Sequence, residues 1–315
     1  MRRSGRKKKK NRLKIIAIVF ICLILAAIGL LAFIAHQITG NGVEIVDQEE
    51  VDPTADEVLI GKEVQQDDQV FNVLLVGTDS RDPDADMGRS DSMMLLSFNQ
   101  REGKATAVSF LRDCLVDIEG HGKSRLGHTY AYGGVGLTIN TLNQVFGLDI
   151  QKYITINFDN LVNVIDELGG IEVTLTEEEA EYYRSNGMPD IQAGKVTLTG
   201  SQALVHARNR SLDSDFGRTR RQRDVMYGVY QKVLEKRDPA TLMSLINYCV
   251  TQVNTNMSVG EIYETATAVL AVDNLQAQQA VVPMDGSYSS INYEGMAVLD
   301  IDVEANSQHI HELLY

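Results

Sequence analysis

Residues 15–35 read IIAIVFICLILAAIGLLAFIA, twenty-one in a row without one charged side chain. At about 1.5 Å rise per residue, a helix of that length reaches roughly 30 Å, the thickness of a bilayer's hydrocarbon core. The apolar part of a secretory signal is shorter, about 7–15 residues, and is followed by small residues at a cleavage site. Here the run ends in Ala35-His36-Gln37-Ile38, a poor cleavage site, so it reads as an uncleaved anchor. Residues 1–14 hold nine Lys or Arg and no acid. The positive-inside rule therefore keeps the tail in the cytoplasm and puts residues 36–315 outside the cell membrane.

That topology divides the chain into a basic cytoplasmic tail (1–14), a transmembrane helix (15–35), an acidic stalk (36–68) and one outer domain (69–315). In the stalk, residues 40–68 carry ten acids against the single Lys62, too polar and too like-charged to pack. Of 29 Lys and Arg, only 20 lie beyond the tail, against 43 Asp and Glu. An outer surface that acidic repels nucleic acid rather than neutralising its phosphates. Cys114 and Cys249 are far apart in sequence and Cys22 sits in the membrane run. Two thiols are the expected state, and no Cys/His spacing points to zinc.

From Val70 onward, apolar runs alternate with amphipathic ones. Val70–Gly77, Met93–Phe98 and Ala105–Leu111 read as buried strands, as do Tyr153–Phe158, Ile171–Leu175, Gln278–Pro283 and Ala297–Val303. Helical patterns fall at 135–146, 159–168, 177–185, 200–207, 218–236, 242–252 and 259–272. The alternation predicts an α/β fold, a layered α-β-α domain around a central mixed sheet. Apolar positions such as Leu161, Val164, Ile165 and Leu168 either fill core or line a lipid tunnel, and core is the default.

Four segments gather Asp and Arg at strand ends. Gly77-Thr78-Asp79-Ser80-Arg81 follows the first strand, and Gly88-Arg89-Ser90-Asp91 precedes the second. If those strands are neighbours, Asp79 and Asp91 converge at one sheet edge. Two carboxylates facing one point suit a hard divalent cation between them. The competing reading is an acidic surface loop, since Asp82, Asp84 and Asp86 lie in the same stretch. Ser109-Phe110-Leu111-Arg112-Asp113 closes the third strand. Between Arg208 and Arg223 stand six arginines and no lysine. Extended backbone would put Arg208 and Arg210 on one face, and helical backbone would group Arg218, Arg221 and Gln222. A planar guanidinium grips phosphate oxygens in pairs, which an ammonium does not. An anion site is the favoured reading over a solvated stripe paired with Asp213, Asp215 and Asp224.

The segments NVLLVGTDSR, GRSDSMMLLSFN, SFLRD, HTYAYGG, DELGGIEV, LTGSQALVHARNR and FGRTRRQRDV, in that order, resemble the LytR-CpsA-Psr family. The likeness covers residues 70 to about 235, and the basic tail and single membrane helix match it too. It implies a phosphotransferase that moves an anionic glycopolymer, of teichoic acid or capsule type, from an undecaprenyl-pyrophosphate carrier to peptidoglycan. It also implies an apolar tunnel for the polyprenyl chain. By matching motifs, Asp79 and Asp91 would hold Mg²⁺. Arg89, Arg112, Arg208, Arg210, Arg218 and Gln222 would contact the pyrophosphate, with Arg221 in the same motif. Asp79, Asp91, Arg89 and Arg112 form the catalytic set. Two departures stand out: His206 where an aromatic is common, and Arg125 where lysine is frequent. A non-catalytic polyprenyl-pyrophosphate-binding protein and a pyrophosphate hydrolase are the alternatives. A DNA-binding regulator conflicts with an arginine cluster outside the membrane.

Overall fold

The computed structural model describes residues 67–78, 90–236, 254–272 and 275–315. The tail, the membrane run, nearly all of the stalk and the helix expected at 242–252 lie outside those residues. Among the described residues no helix is long and apolar enough to cross a membrane.

In chain order the strands are β1 (Val70–Thr78), β2 (Ser90–Asn99), β3 (Lys104–Phe110), β4 (Cys114–Ile118), β5 (Gly122–Arg125), β6 (Lys152–Asn157), β7 (Ile171–Leu175), β8 (Gly194–Leu198), β9 (Asn254–Thr255), β10 (Gln276–Val282), β11 (Tyr288–Tyr293) and β12 (Met296–Ile301). The helices are α1 (Thr129–Phe146), α2 (Phe158–Glu167), α3 (Glu177–Ser185), α4 (Gly200–Arg208), α5 (Asp215–Lys236), α6 (Val259–Ala271) and α7 (Val303–Leu314). Their starts are chemically marked. Thr176, Thr199 and Ser258 each accept from the backbone N–H three residues on, whose Glu or Gln side chain bonds back. Each box satisfies two donors that a helix terminus leaves open.

The central sheet runs β10-β3-β2-β1-β6-β9. β1 is antiparallel to β2 and parallel to β6, while β3 is antiparallel to β2 and parallel to β10. The sheet is therefore mixed, as expected. This direction pattern puts the C-terminal ends of β1, β3, β6 and β10 and the start of β2 on one edge.

Side chains alternate across the sheet, and its two faces differ. One face is sealed. Phe110 packs on Phe146 of α1 at 5.3 Å between ring centroids, and Asn99 and Thr106 donate to the Leu314 and Leu313 carbonyls that end α7. The other face carries α5, through hydrogen bonds from Arg223 to Ser109 and Gln279. There Leu75, Leu96, Ala107 and Ile154 remain half-buried, whereas Leu74, Leu95 and Val108 on the sealed face are fully buried.

A four-stranded sheet, β11-β12-β4-β5, and the β7-β8 hairpin flank this body. Beneath the hairpin Ile165, Ile171, Val173, Tyr183, Leu198 and Val225 form a second core, with Leu161 packed against it. Ile165 and Leu168 are fully buried, so those two positions fill core.

The sequence reading missed β4, β5, β8, β9, β11 and α7. Cys114 is a buried thiol, pushed well above its usual range by burial and by the neighbouring Asp113 charge. Cys249 lies outside the described residues.

Candidate functional site: an arginine cluster at the sheet edge

At the edge where β1, β3, β6 and β10 end, Thr78, Ser90 and Arg112 of the first three Asp/Arg segments come together with Arg218 and Gln222 from the fourth. β1 and β2 are neighbours. Gly77 pairs with Ser92 but Thr78 pairs with Ser90, so Asp91 is an extra residue in a bulge. Bulges re-aim a strand at sheet edges and next to active sites. Asp79 and Arg89 lie outside the described residues, as does the side chain of Asp91.

Arg112 follows the end of β3 and is held from two directions. Leu111 N–H donates to the Val282 carbonyl at the end of β10 (2.8 Å), and Gly127 N–H donates to the Arg112 carbonyl (2.8 Å). A Cβ at position 127 would stand 2.8 Å from the Arg112 Cβ, so only glycine permits this approach.

Across the cluster, Asp215 binds two arginines with one carboxylate. Its Oδ2 accepts from Arg218 Nη2 at 2.9 Å and lies 3.4 Å from Arg112 Nε. Thus the arginine ending β3 and the arginine in the first turn of α5 share a counter-ion. Asp113 repeats the device, 3.8 Å from Arg112 Nε and 3.5 Å from Arg125 Nε. One turn along α5 from Arg218, the Gln222 side-chain oxygen accepts from Ser92 Oγ at 3.0 Å, directly beside Asp91. Arg112, Arg125, Arg218 and Gln222 thereby come to one edge, a concentration of cationic and polar groups in an otherwise acidic chain. Arg218 is 2 % exposed, and a guanidinium so desolvated interacts more strongly with any anion that reaches it.

Arg221 departs from expectation. Instead of facing the cluster, it is fully buried, with both terminal nitrogens on Asp213 (2.6 and 3.0 Å), a longer contact to Glu179 (3.4 Å) and a bond to the Asn209 carbonyl (2.8 Å). Burial would lower its pKa, but Asp213, joined by Tyr183 and Glu179, outweighs this and holds it up. Arg221 therefore anchors the loop that follows α4 and carries Arg210. Arg208 also differs, since it is the last residue of α4 and the extended backbone begins at Asn209. Both Arg208 and Arg210 are exposed.

The helix thus splits its expected face. Positions 218 and 222 turn to the sheet edge, while position 221 turns to the loop. Glu179 joins the buried side by binding Arg220 as well. Burial pushes its carboxyl up, yet the Thr176 backbone N–H and Arg220 bring it below the usual range. His206 is buried with Nδ1 2.8 Å from the Tyr183 hydroxyl. Desolvation drives its pKa down to about 4, so it is neutral at pH 7 and plays the packing role of an aromatic. His311 bonds the Phe146 carbonyl, and among the described residues no group of three or more His, Cys, Asp or Glu is placed to hold a metal.

Ser92 is a contact that sequence reasoning passed over, and Asp215 entered it only as one partner of a solvated arginine stripe, not as the link between Arg112 and Arg218. The signal for Asp215 was its place three residues before Arg218, where an acid and an arginine meet on a helix.

Known proteins resemble this chain in sequence and fold. The model of the LytR_cpsA_psr family covers residues 33–312. The chain belongs to the LytR-CpsA-Psr family. It is 33% identical over 251 residues, 73% of this chain and 74% of the relative, to the polyisoprenyl-teichoic acid–peptidoglycan teichoic acid transferase TagT of Bacillus subtilis. It is 32% identical over 281 residues, 84% of this chain and 88% of the relative, to the TagU transferase of the same description from Enterococcus faecalis. A solved structure of TagT bound to LIIa-WTA superposes with a TM-score of 0.66 at 24% identity, covering 80% of this chain and 94% of that one. This last likeness is one of fold.

Proposed function

We propose that this LytR-CpsA-Psr protein is a transferase. It moves an anionic glycopolymer, of teichoic acid or capsule type, from an undecaprenyl-pyrophosphate carrier onto a sugar hydroxyl of peptidoglycan. The observation that carries this reading is the shared counter-ion, because Asp215 keeps Arg112 and Arg218 side by side where a diphosphate can replace it. Its relatives' names, transferases that join polyisoprenyl-linked teichoic acid to peptidoglycan, point the same way.

Phosphoryl transfer asks a protein for alignment and charge neutralisation more than for covalent participation. Arg218, almost fully buried, and Arg112, half-buried, offer guanidinium groups whose pull strengthens as negative charge builds on the phosphate oxygens. Arg89, Arg208, Arg210 and Gln222 complete the grip in this reading. The acceptor hydroxyl oxygen forms a bond to the glycan-bearing phosphorus, the bond from that phosphorus to the polyprenyl phosphate breaks, and the hydroxyl proton passes to a pocket carboxylate.

Asp79 and Asp91 are the residues that would hold Mg²⁺. Their donors are all oxygen, which suits a hard cation, and the bulge that sets Asp91 apart adjoins the end of β1 from which Asp79 follows. Bound there, the ion would supply charge neutralisation on the diphosphate. The half-buried apolar row on the α5 face is where the polyprenyl chain lies in this reading. A cavity of about 210 Å³, lined by Gln231 and by Tyr227, Tyr230, Leu234, Val272, Leu275 and Ala277, takes a short stretch of such a chain. Residues 15–35 anchor the protein in the cell membrane with residues 36–315 outside.

The test is the full chain in detergent with a lipid-linked glycopolymer, Mg²⁺ and a peptidoglycan oligosaccharide, the products read by mass spectrometry. Wall-linked polymer is expected. Free glycan phosphate alone would make the protein a hydrolase, and donor binding without turnover would make it a carrier-binding protein. Asp79→Ala is expected to abolish Mg²⁺-dependent transfer with the circular dichroism spectrum unchanged; undiminished turnover would remove the metal assignment.

A further inference from the structure

α1 begins as one short turn and then breaks. Gly133 and Gly134 are non-helical, the latter with φ 62°, which only glycine adopts cheaply. Hydroxyls brace the break. Thr129 Oγ1 donates to the Leu126 carbonyl (2.7 Å) and meets Thr138 Oγ1 (2.9 Å), and Thr138 donates to the Gly134 carbonyl (2.9 Å). The turn is thus rigid yet offset from the buried helix that follows.

This turn presents Tyr132, 44% exposed. Its ring stacks on His121 from the β4-β5 tip, 4.4 Å between centroids and 12° from parallel. His128 meets its edge at 5.8 Å and is itself 2.9 Å, through Nδ1, from Ser124 Oγ. Three rings from two segments, the β4-β5 tip and the start of α1, are therefore fixed in one surface patch, already ordered before any ligand arrives. An ordered patch of this kind binds at low entropic cost.

We propose that Tyr132 and His121 form a stacking shelf for a pyranose ring of the acceptor glycan, a deepening that rests on the transferase reading above. The C–H face of a pyranose is apolar and slightly positive, and it stacks on the negative face of an aromatic ring. The shelf's place selects the acceptor over the donor. Along the β4-β5 ladder Leu115 faces Arg125 and Ile118 faces Gly122, three residues or about 10 Å apart. Arg125 reaches the guanidinium cluster through Asp113, so the shelf lies a sugar unit or two from the reacting phosphate. The half-buried apolar row, where the lipid lies, is on the opposite, α5 face of the sheet from α1. Displacement at phosphorus puts the incoming hydroxyl roughly in line with the leaving polyprenyl phosphate and opposite it, which is the α1 side.

The experiment compares the wild-type full chain with Tyr132→Ala and Tyr132→Phe. Apparent KM is measured separately for a soluble peptidoglycan oligosaccharide and for the lipid-linked donor, and direct binding of the oligosaccharide is followed by calorimetry. Tyr132→Ala is expected to raise the acceptor KM about three- to tenfold with donor KM held, and Tyr132→Phe to restore it. An unchanged acceptor KM, or a rise in donor KM instead, overturns the shelf while leaving the transferase intact. If the wild type transfers nothing, the transferase reading falls, and calorimetry still decides the shelf: binding lost in Tyr132→Ala supports it, and equal or absent binding overturns it.

Discussion

Replacing Asp215 with asparagine keeps volume and one hydrogen-bond acceptor but removes the negative charge between Arg112 and Arg218. Taking one partner from a buried pair costs about 3–5 kcal/mol. Here the Asp215 side chain is 23% exposed, and asparagine retains a bond to Arg218, so about 2 kcal/mol is the fitting figure. In a domain of this size 1 kcal/mol moves Tm by about 2–4 °C, which gives a fall of about 4–8 °C, read by thermal unfolding of the full chain in detergent. The sharper test comes from adding inorganic pyrophosphate. In the wild type the anion must compete with the carboxylate, whereas in Asp215→Asn it meets two cations with only a neutral amide between them. At about 100 times Kd a ligand contributes about 2.7 kcal/mol, enough to offset the loss. The variant should therefore gain more Tm from pyrophosphate than the wild type does. An equal gain in both proteins, or a variant as stable as its parent without the anion, would refute the claim that these arginines are poised for a diphosphate.

Other outcomes follow from the buried side of α5. His206 has a folded pKa near 4 against about 6.5 unfolded, so the unfolded chain takes the proton first. Stability should fall as pH drops from about 6.5 to 4 and be level above, by at most about 3 kcal/mol. His206→Phe should flatten that part of the urea-unfolding profile, and identical slopes would assign it to other groups. A Cβ at Gly217 would collide with the Asp213 carboxylate, so Gly217→Ala should displace Asp213 from Arg221 and cost about 3 kcal/mol. Added to Asp213→Ala the change should cost little more, and full additivity in a double-mutant cycle would show the two to be uncoupled. Ser92→Ala removes the bond that holds Gln222; about 1 kcal/mol of stability should go with a clear drop in transfer rate, and an unaltered rate would leave Gln222 without a positioning partner.

The layers of the fold were legible because their residues report a two-sided burial. Val70–Thr78 and Ser90–Asn99 are apolar enough that no partner is needed to see a strand. β5 is Gly-Lys-Ser-Arg, which says nothing alone and becomes a strand because β4 offers it a ladder. α7 shows only a thin apolar stripe, with Ile310 and Leu314 buried, and its end is fixed by side chains from Asn99 and Thr106 some two hundred residues earlier. Contacts that distant in sequence leave no local pattern to read.

The arginines pose a subtler problem, because in the proposed site the same residue type serves both phosphate and scaffold. Arg218 and Arg221 are one turn apart, both buried, and indistinguishable by composition or spacing. What separates them is where the opposing acid comes from. Asp215 precedes Arg218 on the same helix and holds it toward the sheet edge, within reach of a phosphate. Asp213 belongs to the loop before the helix and reaches Arg221 over position 217, which must lack a side chain for the carboxylate to pass. Gly217 was therefore the one sign in the sequence that an arginine in this motif faces inward. Its meaning depends on a helix starting at Asp215 rather than at Arg218. With that start misplaced by a single turn, an anchoring arginine and a phosphate-facing one look alike.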